Sequence, residues 1–166
     1  MISRLQRKLP SRSSWLSAWA LVVLVLTLLP VHPAQGQTGL VLPGADGGEL
    51  ATGRLSAGDA VVVVWASWSP RCRDIDRSIN QIADRWGGRA RVVSISFQED
   101  RAAVREFLAR RSISVPTYLD AEGTFSKRHG VTTLPSLLVL RQGSVAYRGG
   151  LPADFHRTIG DALGGS

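Results

Sequence analysis

Cysteine is almost absent from this chain of 166 residues, in which Cys72 is the only one. A single cysteine cannot form an internal disulfide, which excludes the small disulfide-stapled scaffolds and leaves stability to the hydrophobic core. Histidine is also scarce, and the three present show no metal-ligand spacing with Cys72. We therefore expect no metal site and no cofactor.

Acidic residues are missing from the beginning of the chain, where four basic residues precede position 13. An apolar run follows from Trp15 to Leu29 and ends at Pro30, and Ala34-Gln35-Gly36 has the small-x-small spacing of a signal-peptidase site. The run is short for a membrane span, which needs about 20 residues. These features predict that residues 1–36 are a secretory signal peptide or an N-terminal membrane anchor through residues 13–30. In both cases residues 37–166 form a periplasmic or other extracytoplasmic domain.

The high positive charge belongs largely to this leader. The whole chain has 20 Lys and Arg against 13 Asp and Glu, so removing the four leading basic residues leaves 16 − 13 = +3. The basic pairs Arg110-Arg111 and Lys127-Arg128 have no interleaved aromatic residues of the kind that stack on nucleobases. We therefore expect no nucleic-acid partner.

Strand and helix patterns alternate along the rest of the chain. The continuous β-branched run Val61 to Trp65 predicts a central strand buried on both faces. Ser69 as N-cap and Pro70 at the first helical position predict a helix with an apolar stripe that ends before Gly87-Gly88. The other predicted elements are a hairpin at 40–50 with a two-residue turn at Asp46-Gly47, strands 91–97, 116–119, 136–140 and 145–148, helices 100–111 and 123–129, and a helix opened by Pro152. This order predicts an α/β fold with a parallel core and an antiparallel part.

Two segments carry a family resemblance. Trp65-Ala66-Ser67-Trp68-Ser69-Pro70-Arg71-Cys72-Arg73 resembles the W-A-S-W-C-P-x-C-R segment of the exported TlpA/ResA-like branch of the thioredoxin superfamily. The segment from Gly130 to Pro135 resembles the cis-proline loop of that family. The resemblance spans residues 40–164. It implies a thioredoxin-like fold, with a central mixed sheet flanked by helices and an N-terminal β-hairpin extension.

The sequence departs from this family at the position of the attacking thiol. Ser69 replaces the first cysteine, and Cys72 falls on the second, resolving cysteine, which is normally more buried. Val63 stands where the family often has a polar or acidic residue that assists proton transfer. Exchange requires an attacking thiolate and a second thiol that releases the mixed disulfide. One thiol permits at most a mixed disulfide with protein or small-molecule thiols and disulfides.

Each site residue has two interpretations at this point. Ser69 is either a helix cap or a hydrogen-bond partner of the Cys72 thiolate, and Cys72 is either a buried structural thiol or a reactive monothiol near a helix N-terminus. The resemblance implies a catalytic role for Cys72 and Ser69, and substrate binding by Trp68, Pro70, Arg71, Leu134 and Pro135.

Three functions fit this sequence. The first is thiol–disulfide exchange through the single thiol of Cys72. The second is a redox-inactive thioredoxin-fold binding or assembly module. The third is a peroxiredoxin-like thiol peroxidase, because Ser69-x-x-Cys72 has the form of the peroxiredoxin T-x-x-C motif.

Overall fold

The computed structural model describes residues 39–165, which form a five-stranded mixed sheet flanked by helices and a separate two-stranded hairpin. The predicted leader at residues 1–36 lies outside the described residues. None of the helices between residues 39 and 165 is long and apolar enough to cross a bilayer. The elements are β1 (Val41–Pro43), β2 (Glu49–Ala51), a 3-10 helix (Thr52–Ser56), β3 (Ala60–Trp65), a second 3-10 helix (Pro70–Cys72), α1 (Ile75–Trp86), β4 (Arg91–Phe97), α2 (Arg101–Arg110), β5 (Thr117–Asp120), α3 (Thr124–Arg128), β6 (Ser136–Arg141), β7 (Ser144–Gly150) and α4 (Phe155–Ala162).

Strand β3 lies at the centre of the main sheet, whose order is β5-β4-β3-β6-β7. It pairs with β4 in parallel and with β6 antiparallel. All six of its residues are buried because helices or loops cover both faces. Val61, Val63 and Trp65 join one core cluster, and Val62 and Val64 join the other. The prediction of a central strand buried on both faces is confirmed.

The helix after β3 begins later than the sequence predicted. Residues Pro70–Cys72 form a 3-10 turn, in which the Cys72 amide donates to the Ser69 carbonyl at 2.9 Å. Asp74 then leaves helical geometry, with φ −115° and ψ 32°, and the regular helix α1 starts at Ile75. The prediction of one helix from Pro70 to Trp86 is therefore wrong at its first turn. The apolar stripe is confirmed, since Cys72 packs in the same cluster as the buried residues of α1.

The connection of the first hairpin is longer than the predicted two-residue turn. Pro43 pairs with Glu49, so residues 44–48 form the connection. The Gly44 amide donates to the Gly48 carbonyl at 2.9 Å. The Ala45 amide donates to the Thr117 carbonyl of β5 at 2.8 Å, so the turn is shaped partly by the main sheet.

The last helix also begins three residues after the predicted start. Pro152 precedes α4, which starts at Phe155 because the Asp154 side chain accepts a hydrogen bond from the Arg157 amide at 3.3 Å. A turn at Gln142-Gly143 joins β6 and β7, with both residues at positive φ.

Candidate functional site

The two segments that carry the family resemblance meet at one edge of the sheet. The chain leaves β3 after Trp65, and the loop that ends at Pro135 enters the antiparallel neighbour β6, with Val64 paired to Ser136. The C-terminal end of β3 and the N-terminal end of β6 therefore coincide. The Leu134–Pro135 peptide bond is cis, which agrees with the sequence-based expectation.

Two adjoining grooves separate these segments. The first, of about 360 Å³, has apolar and polar side chains in its wall, and it combines residues of the loop after β3, the end of β4 and the proline loop. The second, of about 630 Å³, shares Arg71 with the first and has Pro70 and Pro135 in its wall. The first groove is lined by Trp68, Ser69, Arg71, Phe97, Val131, Thr132, Thr133 and Leu134. The structure thus brings all the predicted substrate-binding residues to the walls of these two grooves.

Cys72 lines neither of the two grooves. This residue is only 1% exposed, and it packs against the core cluster that contains Val63 and Ile75. Burial raises the pKa of the Cys72 thiol above its ordinary value. Hydrogen bonds with the Ala66 backbone and the Ser69 side chain lower this pKa, and the charge of Glu99 raises it, but the effect of burial is the largest.

Ser69 occupies the N-cap position of the 3-10 turn without a capping hydrogen bond from its side chain. The Ser69 side chain lowers the pKa of the Cys72 thiol, while the Ser69 carbonyl accepts a hydrogen bond from the Cys72 amide. Ser69 is 8% exposed and lines the first groove. The helix-cap interpretation of Ser69 lacks a side-chain hydrogen bond in this structure, and a role beside the thiol stays a prediction.

Glu99 is a site residue that sequence reasoning missed. This carboxylate is 7% exposed and accepts hydrogen bonds from the Ser67 amide at 2.9 Å, from the Ser96 hydroxyl at 2.6 Å and from the Ser67 hydroxyl. It therefore anchors the loop between β3 and the 3-10 turn. Along the sequence Glu99 is one of several polar residues after β4. Its place directly after β4 could have indicated this role, because the parallel strands β3 and β4 have their carboxyl ends at the same edge of the sheet.

The two tryptophans of the motif have different surroundings. Trp65 is fully buried and donates from Nε1 to the Ser94 hydroxyl at 2.6 Å. Trp68 is 59% exposed and forms a groove wall. Val63 is fully buried. Because its side chain is aliphatic, it has no group that could transfer a proton. Within residues 39–165 there is no group of three His, Cys, Asp or Glu side chains arranged to hold a metal ion.

Comparisons with solved structures agree with this architecture. The chain is similar to a thiol:disulfide interchange protein of the thioredoxin family from Chlorobium tepidum, with 24% identity, a TM-score of 0.62, and coverage of 76% of this chain and 94% of that one. It is also similar to a secreted disulfide oxidoreductase of Mycobacterium tuberculosis homologous to E. coli DsbE, with 20% identity, a TM-score of 0.63, and coverage of 78% and 98%. A third similar structure is the exposed lipoprotein thioredoxin Etrx1 of Streptococcus pneumoniae, with 16% identity, a TM-score of 0.65, and coverage of 74% and 96%. At these identities the likeness establishes the thioredoxin-like fold.

No curated protein matches the chain. The family model described as Redoxin matches residues 30–158, which is most of the sequence. This match shows that the chain belongs to the Redoxin family.

Proposed function

We propose that this protein is an exported thioredoxin-fold module that binds extended segments of partner proteins and has no dithiol turnover of its own. The observation that carries the proposal is the position of its single thiol. Cys72 is 1% exposed with a raised pKa, and it does not line the groove that its neighbour Arg71 lines. Recognition surface and thiol chemistry are therefore separable in this chain.

The thiol is poorly suited to attack a disulfide in the folded state. The nucleophile in exchange is the thiolate, which must reach a sulfur of the partner. Burial of Cys72 opposes both requirements, because it disfavours ionisation and blocks approach. The same burial argues against the peroxidase, which needs an accessible thiolate of low pKa.

The groove, by contrast, has the features of a docking site for a polypeptide. Its wall contains Trp68, whose large exposed ring is the kind of anchor that dominates binding energy at interfaces. Leu134 and Phe97 add apolar surface beside it. Export is supported by the basic and apolar leader and by similar structures whose proteins are described as secreted or exposed.

A second candidate, exchange through Cys72 as a monothiol, is favoured by one observation. The hydrogen bonds with the Ser69 side chain and the Ala66 backbone stabilise the thiolate. Local opening of the 3-10 turn Pro70–Cys72 would then expose the sulfur, and another thiol would have to release the mixed disulfide.

Two measurements separate these candidates. The reagent DTNB should leave Cys72 of the folded protein unmodified over hours and should titrate one thiol per chain in denaturant. Rapid reaction of the native protein would reject the binding module as the whole function and support the monothiol candidate.

The second measurement is binding of a permanently unfolded, cysteine-free polypeptide, followed by fluorescence anisotropy. We expect Cys72→Ala to bind as the wild type does and Trp68→Ala to bind several-fold more weakly. Val145→Ala is the matched control, because Val145 is also a large apolar residue, 50% exposed, and it lies on β7 outside the grooves. Equal affinity of Trp68→Ala and Val145→Ala would reject this groove as the binding site.

A further inference from the structure

We propose that the segment bound at this site is acidic, and that its carboxylates contact Arg71 and Arg73. This inference rests on the proposed function, since it names the partner chemistry of the same grooves. The argument comes from the charges at the groove rim and from their position relative to the apolar walls.

Arg71 and Arg73 are exposed, and neither forms an ion pair with a carboxylate within the part of the chain that the structure describes. The acidic side chains around them are few. Asp76 is bound to Arg111 at 3.0 Å, and Asp74 lies 3.8 Å from the same guanidinium.

The other charged side chains near the 3-10 turn Pro70–Cys72 already have partners within the protein. Glu99 is buried beneath the loop, where hydrogen bonds from serine donors occupy it. Arg110, which lines a third cavity beside Trp68, forms an ion pair with Glu106 on its own helix. The rim therefore has an excess of positive charge, carried by the two unpaired arginines.

The two arginines lie along the path that a bound segment would follow. Arg71 lines both grooves, and Arg73 lines the second groove and the third cavity. The first groove has no other charged residue, and the second has only Asp74 besides the arginines. An extended segment with an apolar side chain beside Trp68 would pass the Arg71 guanidinium on its way to the second groove.

Carboxylates are the complementary chemistry for this arrangement. A guanidinium presents planar, paired donors that fit the two oxygens of a carboxylate, and it is only weakly hydrated. Residues along an extended segment advance about 3.3 Å each, with alternate side chains on one face. An apolar residue followed by Asp or Glu within the next few positions would therefore satisfy the apolar wall and the basic rim together.

The test uses three short fluorescent peptides with the same apolar centre, followed by two Asp, two Ser or two Lys residues. Anisotropy titrations with the full mature domain should give the order acidic, neutral, basic, with the acidic peptide about two- to thirtyfold tighter than the neutral one at low salt. The preference should shrink as ionic strength rises, because exposed charges are screened.

The double variant Arg71→Gln/Arg73→Gln should lose the preference for the acidic peptide, so that its affinities for the acidic and the neutral peptide become equal. Arg77→Gln is the control, since Arg77 is exposed on the neighbouring helix and lines neither groove. Equal affinities for the three peptides, or a preference that survives the double variant, would overturn the acidic partner and leave the groove intact as a binding site. Absence of binding by all three peptides would overturn both the groove and its charge preference.

Discussion

Alkaline pH should destabilise this protein through Cys72. Burial holds the pKa of this thiol above its ordinary value in the folded state, while the unfolded chain titrates near the free value of about 8.5. Below pH 8.5 the thiol is protonated in both states, and its contribution to stability is fully present. Between the two pKa values only the unfolded state loses the proton, so the free energy of unfolding falls as pH rises.

The size of this effect follows from the proton count. One proton of difference between the states gives a slope of about −1.4 kcal/mol per pH unit. The loss by pH 10 is at most about 2 kcal/mol, which is the limit in which the folded state keeps its proton. For a domain stabilised by about 5–15 kcal/mol this is readily measured.

Urea unfolding between pH 7 and pH 10, under a reducing agent, provides the assay. Wild type and Cys72→Ala should differ by a constant below pH 8 and converge above it, because only the wild type has a thiol to ionise. All other side chains are the same in both proteins, so their contributions cancel in the difference. Parallel stability curves up to pH 10 would refute the burial argument and with it the main support for a module without thiol chemistry.

Two further substitutions probe the same loop. Ser69→Cys should restore a pair of thiols and give insulin-reducing activity where the wild type has none, whereas Ser78→Cys, which adds a thiol on α1 instead, should remain inactive. Inactivity of Ser69→Cys would mean that more than the nucleophile was lost. Glu99→Ala should lower the free energy of unfolding by about 2–4 kcal/mol in urea denaturation, because it leaves the buried Ser96 hydroxyl and the part-buried Ser67 amide without their acceptor. The exposed control Glu122→Ala should change it by less than about 0.5 kcal/mol, and an equal effect of the two variants would contradict the anchoring role of Glu99.

Local sequence patterns predicted the strands and helices whose residues contact near neighbours along the chain or lie in a uniform environment. The run Val61 to Trp65 is apolar at every position, which suits only a strand covered on both faces, and the structure places it at the centre of the sheet. The stripe that includes Ile75, Ile79 and Ile82 has the period of a helix, and those side chains are buried. The ends of helices were harder to predict from the sequence. The first turn after Pro70 is a 3-10 turn, and Asp74 interrupts it before α1 begins.

The amino-acid sequence is enough to exclude a dithiol cycle, since a single cysteine cannot form an internal disulfide whatever the fold. It also determined the alternation of strands and helices, because hydrophobic periodicity is a local property. The burial of Cys72 and the contact of Glu99 with Ser67, 32 positions away in the sequence, could be seen only in the folded chain. Such contacts depend on which strands are neighbours and in what direction they run, and strand pairing is a property of the whole chain and not of any window along it.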